Sequence, residues 1–459
     1  MAYESVNPAT GETVKKYPDL SDAQVKEAID RTFDVFQKDW GKRSIEDRSK
    51  ILHKAAEIFR SDIDKYARLM TLEMGKRIEE ARGEVKLSAD ILDYYAKNGS
   101  TFLAPQKVEE KPGAVVKAFP LGLILAIEPW NFPYYQLARI AGPYLVAGNA
   151  LLVKHSSSVP QCAHAFEEVL EQAGVPKGAY TNLDASPAQV SSLIEDSRVR
   201  GVTVTGSASV GAELAAKAGK MWKKSVMELG GSDAFIVLEG VDIDDKLIEQ
   251  AVYGRLFNAG QVCCAAKRFI IVGKKQAEIF TEKLKARFES LKIGDPFDEK
   301  TTLAPLSSIA ARDQVVAQVE KAVSNGATLV CGGKALKRPG AFMEAGILTD
   351  ISRDNPAYFE EFFGPIAQIY SVESEAKAIE LANDSPYGLG GAVFAKDIEH
   401  GCKVAEQIET GMVSVNKPLW TAPELPFGGV KHSGYGRELS HFGIQEFINW
   451  KLIDASAAE

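Results

Sequence analysis

Residues 254–268 have the sequence GRLFNAGQVCCAAKR, and the rest of the chain is organised around this stretch. Helix-like residues precede its polar turn at 258–261, and an apolar, strand-like run at 269–272 follows it. Cys263 comes just after the turn, where open backbone N–H groups can lower the pKa of a thiol and later stabilise an oxyanion. The alternative is that Cys263 is a small buried apolar residue, and this segment alone does not separate the two.

Length and composition narrow the class of protein. The chain has 459 residues, enough for two or three domains, and its 45% hydrophobic and 25% charged residues are typical of globular proteins. A formal charge of −8 argues against nucleic acid or an acidic membrane surface as a partner. No signal peptide or membrane-spanning run is visible. The five cysteines show no metal-ligand spacing, so we expect no metal site and a reducing cytoplasm.

The pattern along the chain predicts an α/β fold. Apolar residues recur at helical spacing through most of 21–100, with one continuous run over 45–73. Strand-like segments at 107–110 and 114–119 flank Pro112 and Gly113, which predicts a hairpin. Strands and helices then alternate in two segments that meet near 228–233. This rhythm is typical of doubly wound parallel sheets.

Further motifs lie at ends of these predicted elements. A side-chain amide at Asn131 is held between a tryptophan and a proline, whose backbone is restricted. Gly206 and Ser207 open a helix, where backbone N–H groups can bind phosphate. Glu228, beside apolar residues and two glycines, could have a raised pKa and act as a general base. Taken singly, each has an ordinary alternative, such as a common turn or a solvent-exposed strand-end carboxylate.

Taken together and in order, the motifs resemble those of the aldehyde dehydrogenase superfamily. They are PWNFP at 129–133, TGS at 205–207, ELGG at 228–231, FNxGQxC at 257–263, EExFGP at 360–365 and PFGGxKxSGxGRE at 426–438. The resemblance implies that Cys263 is the nucleophile and that Asn131 and the Cys263 N–H form the oxyanion hole. It also implies that Glu228 is the general base that activates water.

The same resemblance implies the architecture: two doubly wound Rossmann-like α/β domains plus a small β oligomerisation arm. The cofactor-binding domain would comprise 1–102 and 121–228, and the catalytic domain 229–430. The arm and the C-terminal segment would comprise 103–120 and 431–459. Since the arm exchanges between subunits in this superfamily, we expect a homo-oligomer, either a dimer or a tetramer.

A nicotinamide cofactor is implied as well. By their match to the superfamily's motifs, the cofactor-binding residues would be Trp130, Lys154, Ser157, Gly206, Ser207, Glu361 and Phe363. NAD-selective members commonly place a glutamate where this chain has Ser157, and that carboxylate repels a 2′-phosphate. A neutral hydroxyl removes the repulsion, so we expect NADP to be preferred, with NAD as the alternative cofactor.

The substrate assignment depends mainly on Arg139. This residue resembles the arginine with which the succinate-semialdehyde dehydrogenases of the superfamily bind the distal carboxylate of their substrate. Trp420 and Thr421 fall where the superfamily lines its substrate tunnel. There are departures: Phe257 stands where mammalian-type members have a second arginine, and a lysine common after the position of Arg139 is Ile140 here. Whether Arg255 reaches the pocket is left open by the sequence.

Several alternatives to succinate semialdehyde stay open. Arg139 could be a helix-surface arginine paired with a local acid, and the enzyme could then oxidise another small aldehyde, whether phosphorylated, aliphatic or aromatic. A catalytically silent, nucleotide-binding relative is a second alternative, although Cys263, Glu228 and Asn131 are all present. Hydrolysis of acyl groups or thioesters without a cofactor is a third.

Overall fold

A computed structural model of the chain describes residues 3–455. The chain begins with the hairpin β1 (Tyr3–Val6) and β2 (Thr13–Tyr17), followed by four helices: α1 (Asp22–Lys38), α2 (Ile45–Ser61), α3 (Ile63–Met74) and α4 (Ile78–Phe102). The single helical run predicted over 45–73 is wrong in one respect, because it is two helices separated at Asp62, whose backbone is not helical. Asp62 is the N-cap residue of α3, although its side chain makes no capping hydrogen bond.

The first large sheet follows. Its strands are β5 (Leu123–Glu128), β6 (Ala150–His155), β7 (Tyr180–Asn182), β8 (Val199–Thr205) and β9 (Lys224–Glu228), and its helices are α5 (Pro133–Ala147), α6 (Pro160–Ala173), α7 (Pro187–Leu193) and α8 (Ala208–Lys220). The strands are parallel, and the strand order β9-β8-β5-β6-β7 changes direction at β5. A ligand crevice is therefore expected at the carboxyl ends of β5 and β8.

The chain passes from the first sheet to the second between Glu228 and β10 (Asp233–Val237). The elements after β10 are α9 (Asp245–Leu256), β11 (Ala266–Val272), α10 (Lys274–Glu289), α11 (Ile309–Ser324), β12 (Thr328–Cys331), β13 (Gly346–Thr349), β14 (Ile366–Val372), α12 (Glu375–Asn383), β15 (Tyr387–Gly388), β16 (Gly390–Phe394), α13 (Ile398–Ala405), β17 (Met412–Val415) and β18 (Val430–Lys431). The second sheet has the order β12-β13-β14-β11-β10-β16-β17, with only its β12–β13 pair antiparallel. Short 3-10 turns lie at Trp40–Lys42, Phe257–Gly260 and Pro356–Tyr358.

A small third sheet lies apart from the other two. It joins β3 (Gln106–Lys107) and β4 (Ala114–Pro120) to β20 (Ile448–Asp454), in the order β20-β4-β3. The predicted hairpin is present, although its first strand has only two residues. The C-terminal segment also contributes β19 (Gly434–Tyr435), which pairs antiparallel with β9 of the first sheet, and α14 (Ser440–Gln445).

The fold class predicted from the sequence is confirmed: two doubly wound, mostly parallel sheets with a small additional β sheet. Helix α5 is central to the packing, because every residue from Pro133 to Ala147 is buried. Within residues 3–455, no helix is both long and apolar enough to span a membrane, and no group of three or more His, Cys, Asp or Glu residues is arranged to hold a metal ion.

Candidate active site

The turn before Cys263 has an unusual backbone. Asn258, Ala259 and Gly260 follow one another in the left-handed region, with φ angles of 53°, 53° and 76°. This conformation is unfavourable for alanine, so the surrounding structure must enforce it, as is common at functional sites. The side chain of Gln261 does part of this: its Nε2 donates to the Asn258 carbonyl at 3.1 Å, and its Oε1 accepts from the Ser307 N–H at 2.8 Å.

Asn131 is hydrogen-bonded to the same turn. It follows β5, and its Nδ2 donates to the Gln261 carbonyl at 3.1 Å. In return, Nδ2 of Asn258 donates to the Asn131 carbonyl at 2.8 Å. The amide of Asn131 is 4% exposed and is held beside the nucleophile turn. A fixed amide donor in this position suits an oxyanion hole.

Two cavities meet at Cys263, which lines both. The first, of about 290 Å³, lies at the carboxyl ends of β5 and β8, the crevice expected from the strand order. The second, of about 50 Å³, is smaller, and six aromatic residues contribute to its lining. Cys263 therefore lies between the first cavity, the crevice, and the second cavity, the tunnel.

Glu228 ends β9 and lines the first cavity. It is 2% exposed, and among residues 3–455 neither of its carboxylate oxygens has a hydrogen-bond partner. Burial raises the pKa of Glu228 well above its usual value, and the nearby carboxyl of Glu438 raises it further, while Arg139 opposes the shift. An unpaired carboxyl with a raised pKa is suited to accept a proton from water.

The two adjacent cysteines differ in acidity. A contact with the thiol of Cys264 lowers the pKa of Cys263; burial opposes this, and the positive charges of Lys267 and Arg139 add to it. The same contact, together with burial, raises the pKa of Cys264 well above its usual value. Cys263 is thus the better nucleophile, and Cys264 stays a thiol beside it.

The residues of the first cavity fit a dinucleotide. A Cβ added at Gly206 would meet nothing within 4 Å, so this backbone faces open space. Ser207 caps the N-terminus of α8, a position that favours a phosphate. Trp130 and Phe363 line the cavity and pack edge to face, with ring centroids 5.7 Å apart. Glu361, also in the lining, accepts a hydrogen bond from the Gly231 N–H at 3.1 Å.

Two further predicted cofactor residues lie at and beyond the carboxyl end of β6, outside the lining of the first cavity. Burial lowers the pKa of Lys154, whose Nζ is 5.6 Å from the centroid of the Tyr3 ring. Ser157 is half-buried, and its carbonyl accepts a hydrogen bond from the Glu4 N–H at 3.0 Å. Since β6 is the parallel neighbour of β5, both residues lie near the carboxyl ends of the strands, as the first cavity does.

Arg139 lines the second cavity but is already paired. It is 1% exposed, forms an ion pair with Glu438, and donates to the Thr205 hydroxyl at 2.9 Å. Its guanidinium also lies 4.8 Å from the centroid of the Phe427 ring. The structure therefore excludes the alternative that Arg139 lies on the surface of its helix. It also shows an ion-pair partner, Glu438, that the sequence did not predict.

Trp420 and Thr421 line the same cavity as Arg139. The hydroxyl of Thr421 lies 3.0 Å from that of Tyr135, and the ring of Trp420 packs against Phe257 with centroids 5.0 Å apart. Phe257 and Trp420 therefore make this wall of the cavity aromatic.

Comparisons with known proteins show the family of this chain. The model of the aldehyde dehydrogenase family matches residues 1–453. The chain belongs to the aldehyde dehydrogenase family. Its relatives include the succinate-semialdehyde dehydrogenase [NADP(+)] of Deinococcus radiodurans, 48% identical over 99% of this chain and 94% of the relative, and a probable one from Synechocystis, 42% identical over 99% of both.

Solved structures of this family superpose closely on the chain. A structure of Gox0499, described as giving insights into cofactor and substrate selection, has a TM-score of 0.97 and 50% identity, covering 99% of this chain and 100% of that one. Succinic semialdehyde dehydrogenase from Streptococcus pyogenes, in complex with NADP+, has a TM-score of 0.96 and 46% identity, covering 98% and 99%.

Arg255 is a residue of this aldehyde dehydrogenase whose position the sequence left open. It is fully buried behind the turn and is absent from the lining of the second cavity. Its guanidinium donates to the carbonyls of Gly260 at 3.0 Å, of Phe362 at 3.2 Å and of Gly364. It ties the nucleophile turn to the loop after Glu361. No sequence pattern marks an arginine whose partners are backbone carbonyls.

The raised pKa of Glu228 predicts a pH dependence for this aldehyde dehydrogenase. Below that pKa the carboxyl is protonated and cannot accept a proton from water, so kcat should rise with pH and then reach a plateau. Glu438→Gln removes a negative neighbour and leaves Arg139, so the rising limb should move to lower pH by about one unit or more. The measurement is kcat against pH, together with the first-turnover burst of reduced cofactor, which shows that a step after hydride transfer is rate-limiting.

The control for this experiment is Glu409→Gln, which removes the same charge from a surface ion pair with Lys431. This variant should leave the rising limb of kcat against pH at the same pH as in the unmodified protein. An unchanged limb in Glu438→Gln would contradict the assignment of Glu228 as the base.

Proposed function

We propose that the protein is a cytoplasmic, NADP-dependent succinate-semialdehyde dehydrogenase that produces succinate. The observation that carries this proposal is the position of Cys263 between the crevice and a tunnel lined by a cationic residue. Among the residues lining the tunnel in the described chain, Arg139 is the only charged one. The names of the relatives and the NADP+ complex of the streptococcal enzyme support the same assignment. The five free cysteines suit a reducing compartment.

The proposed reaction uses three side chains. The thiolate of Cys263 attacks the aldehyde carbon, while the amide of Asn131 and the Cys263 N–H stabilise the oxyanion. A nicotinamide held beside Trp130, Glu361 and Phe363 would supply the acceptor for the hydride of the aldehyde carbon, which would leave Cys263 as a thioester. Glu228 then takes a proton from the water that attacks the thioester carbonyl. The C–S bond breaks, and the acid and the thiolate are released.

The cofactor part of the proposal assigns Gly206 and Ser207 to the pyrophosphate, and Trp130, Glu361 and Phe363 to the nicotinamide side. Lys154 and Ser157 would contact the adenosine ribose, where NADP carries its 2′-phosphate. An ammonium and a hydroxyl at this point favour that phosphate, since both can donate hydrogen bonds to it. NAD, which lacks the phosphate, remains the alternative cofactor.

Ser157→Glu should reverse the cofactor preference. A carboxylate at this position repels the 2′-phosphate and can accept hydrogen bonds from the free ribose hydroxyls of NAD. We expect kcat/KM for NADP to fall by roughly tenfold or more, with a smaller change or a gain for NAD. Both values are measured with the same aldehyde. Ser192→Glu, on the exposed side of α7, is the control for added charge, and equal losses with both cofactors would contradict the assignment.

The substrate part of the proposal places the carboxylate of succinate semialdehyde in the second cavity, near Arg139. The hydroxyls of Tyr135 and Thr421 lie beside it as further donors. The aromatic walls suit the two methylene groups between the carboxylate and the aldehyde. Trp420, which is 45% exposed, lies on the outer side of this path to Cys263.

Arg139→Met should lower kcat/KM for succinate semialdehyde by about 10²-fold, because a charged hydrogen bond contributes roughly 1.5–3 kcal/mol. Butanal, which has the same chain length without a carboxylate, should be affected much less. Because the single variant leaves Glu438 buried without its partner, the double variant Arg139→Met/Glu438→Gln is the control for that effect. Equal losses with both aldehydes in the double variant would reject Arg139 as the selector and leave the dehydrogenase intact.

We further propose a homo-oligomer, a dimer or a tetramer, in which residues 103–120 and 431–459 form the contact arm. Residues 1–102 and 121–228 would form the cofactor-binding domain, and 229–430 the catalytic domain. Strand β20 is at the edge of the small sheet, paired with β4 on one side, and Leu452 on it is 60% exposed. An exposed apolar edge strand is a surface on which another chain can pair.

Sedimentation of the purified protein should therefore give a multiple of the 49.8 kDa chain mass. Leu452→Lys should raise the monomer fraction, because it places a charge on this edge. Val14→Lys, at an exposed apolar residue of the separate N-terminal hairpin, is the matched control. A monomeric parent protein at micromolar concentration would contradict the proposal.

A further inference from the structure

Lys267 is a buried cation that the mechanism above does not use. It lies on β11, four residues after Cys263, and is 1% exposed. Its Nζ donates to the Val262 carbonyl at 2.9 Å and to the Cys263 carbonyl at 2.6 Å, and lies 3.1 Å from Oε1 of Glu361. Three partners match the three donors of an ammonium group. Two of them belong to the nucleophile segment, and the third belongs to the nicotinamide side of the crevice.

The bond to Val262 bears on the oxyanion hole. The carbonyl of Val262 and the N–H of Cys263 belong to the same planar trans peptide, so the two groups point in opposite directions. An ammonium that holds the carbonyl on one side thereby directs the N–H to the other. The bond to the Cys263 carbonyl fixes the next peptide plane as well. Lys267 thus orients the backbone on both sides of the nucleophile.

We propose that Lys267 is a positioning residue for this reaction: it orients the Cys263 N–H of the oxyanion hole, and its ammonium, bonded to the carbonyls on both sides of Cys263, favours the thiolate over the thiol. The same ammonium would hold Glu361, so that the nucleophile and the nicotinamide side of the site share one cation. This inference rests on the proposed function only in taking Cys263 as the nucleophile.

The charges around Cys263 give the expected signs. Lys267 and Arg139 are the positive groups that face it, and Glu361 and Glu228 are the negative ones, with the thiol of Cys264 in contact. Lys267 lowers the pKa of Cys263, and Glu361 raises it. If the ion pair of Lys267 and Glu361 were only a structural contact, loss of either partner would disturb the site in the same way. If Lys267 acts on the thiol, the two losses shift its ionisation in opposite directions.

The test is the alkylation rate of Cys263 by iodoacetamide as a function of pH, without cofactor or substrate. All variants carry Cys264→Ala, and the Cys263 peptide is quantified by mass spectrometry. Lys267→Met should move the titration midpoint upward by about one pH unit, which makes alkylation at neutral pH roughly tenfold slower. Lys267→Arg should keep the titration midpoint close to that of the protein with Lys267, because it keeps the charge and the hydrogen-bond donors. Glu361→Gln should move the midpoint downward.

The exposed Cys402 gives an internal reference, since its alkylation should be the same in every folded variant. A midpoint that stays in place in Lys267→Met, or that moves the same way in Lys267→Met and Glu361→Gln, would overturn the proposal. Because neither aldehyde nor cofactor takes part, this result is independent of whether succinate semialdehyde is the substrate.

Discussion

The reciprocal hydrogen bonds between Asn131 and the turn at 258–261 are the contact on which the rest of the site depends. Asn131 follows a strand of the first sheet, and the turn leads into a strand of the second. The amide of Asn131 and the turn before Cys263 are therefore held together only when the two sheets are docked. The left-handed backbone at Asn258 and Ala259 is unfavourable in isolation, so these bonds also maintain the turn itself.

An ion pair in the N-terminal helical region also contacts Asn131. Lys76 and Glu84 form a fully buried ion pair, and Lys76 donates to the Asn131 carbonyl at 3.0 Å. Glu84 accepts from the backbone N–H groups of Tyr134 and Tyr135 at 2.9 and 3.1 Å, and so caps the start of α5. Burying two charges is costly unless their remaining hydrogen bonds are satisfied, and here the partners are parts of the site. One ion pair thus positions both Asn131 and the helix that carries Arg139.

The sequence predicted the family, the two doubly wound sheets and the hairpin, because strand periodicity and local motifs are encoded in contiguous residues. It assigned Cys263, Asn131 and Glu228 for the same reason, and the structure brings all three to one place. It could not predict that Arg139 pairs with Glu438, since the two are far apart in sequence and neither has a pattern that names its partner. The buried contacts of Lys267 could not be predicted either, because the sequence does not distinguish a lysine in a buried strand from a surface lysine.

The pairing of Arg139 links substrate recognition to the strength of the base. One guanidinium faces three buried carboxyls, Glu128, Glu228 and Glu438, and the pKa of each is raised mainly by burial and lowered by Arg139. These carboxyls cannot all be ionised around a single cation in a desolvated site. A substrate carboxylate bound at Arg139 would add a further negative charge and strengthen the proton affinity of Glu228. In the proposed enzyme, the positive charge of Arg139 therefore both selects the substrate and influences the pH range in which Glu228 can accept a proton.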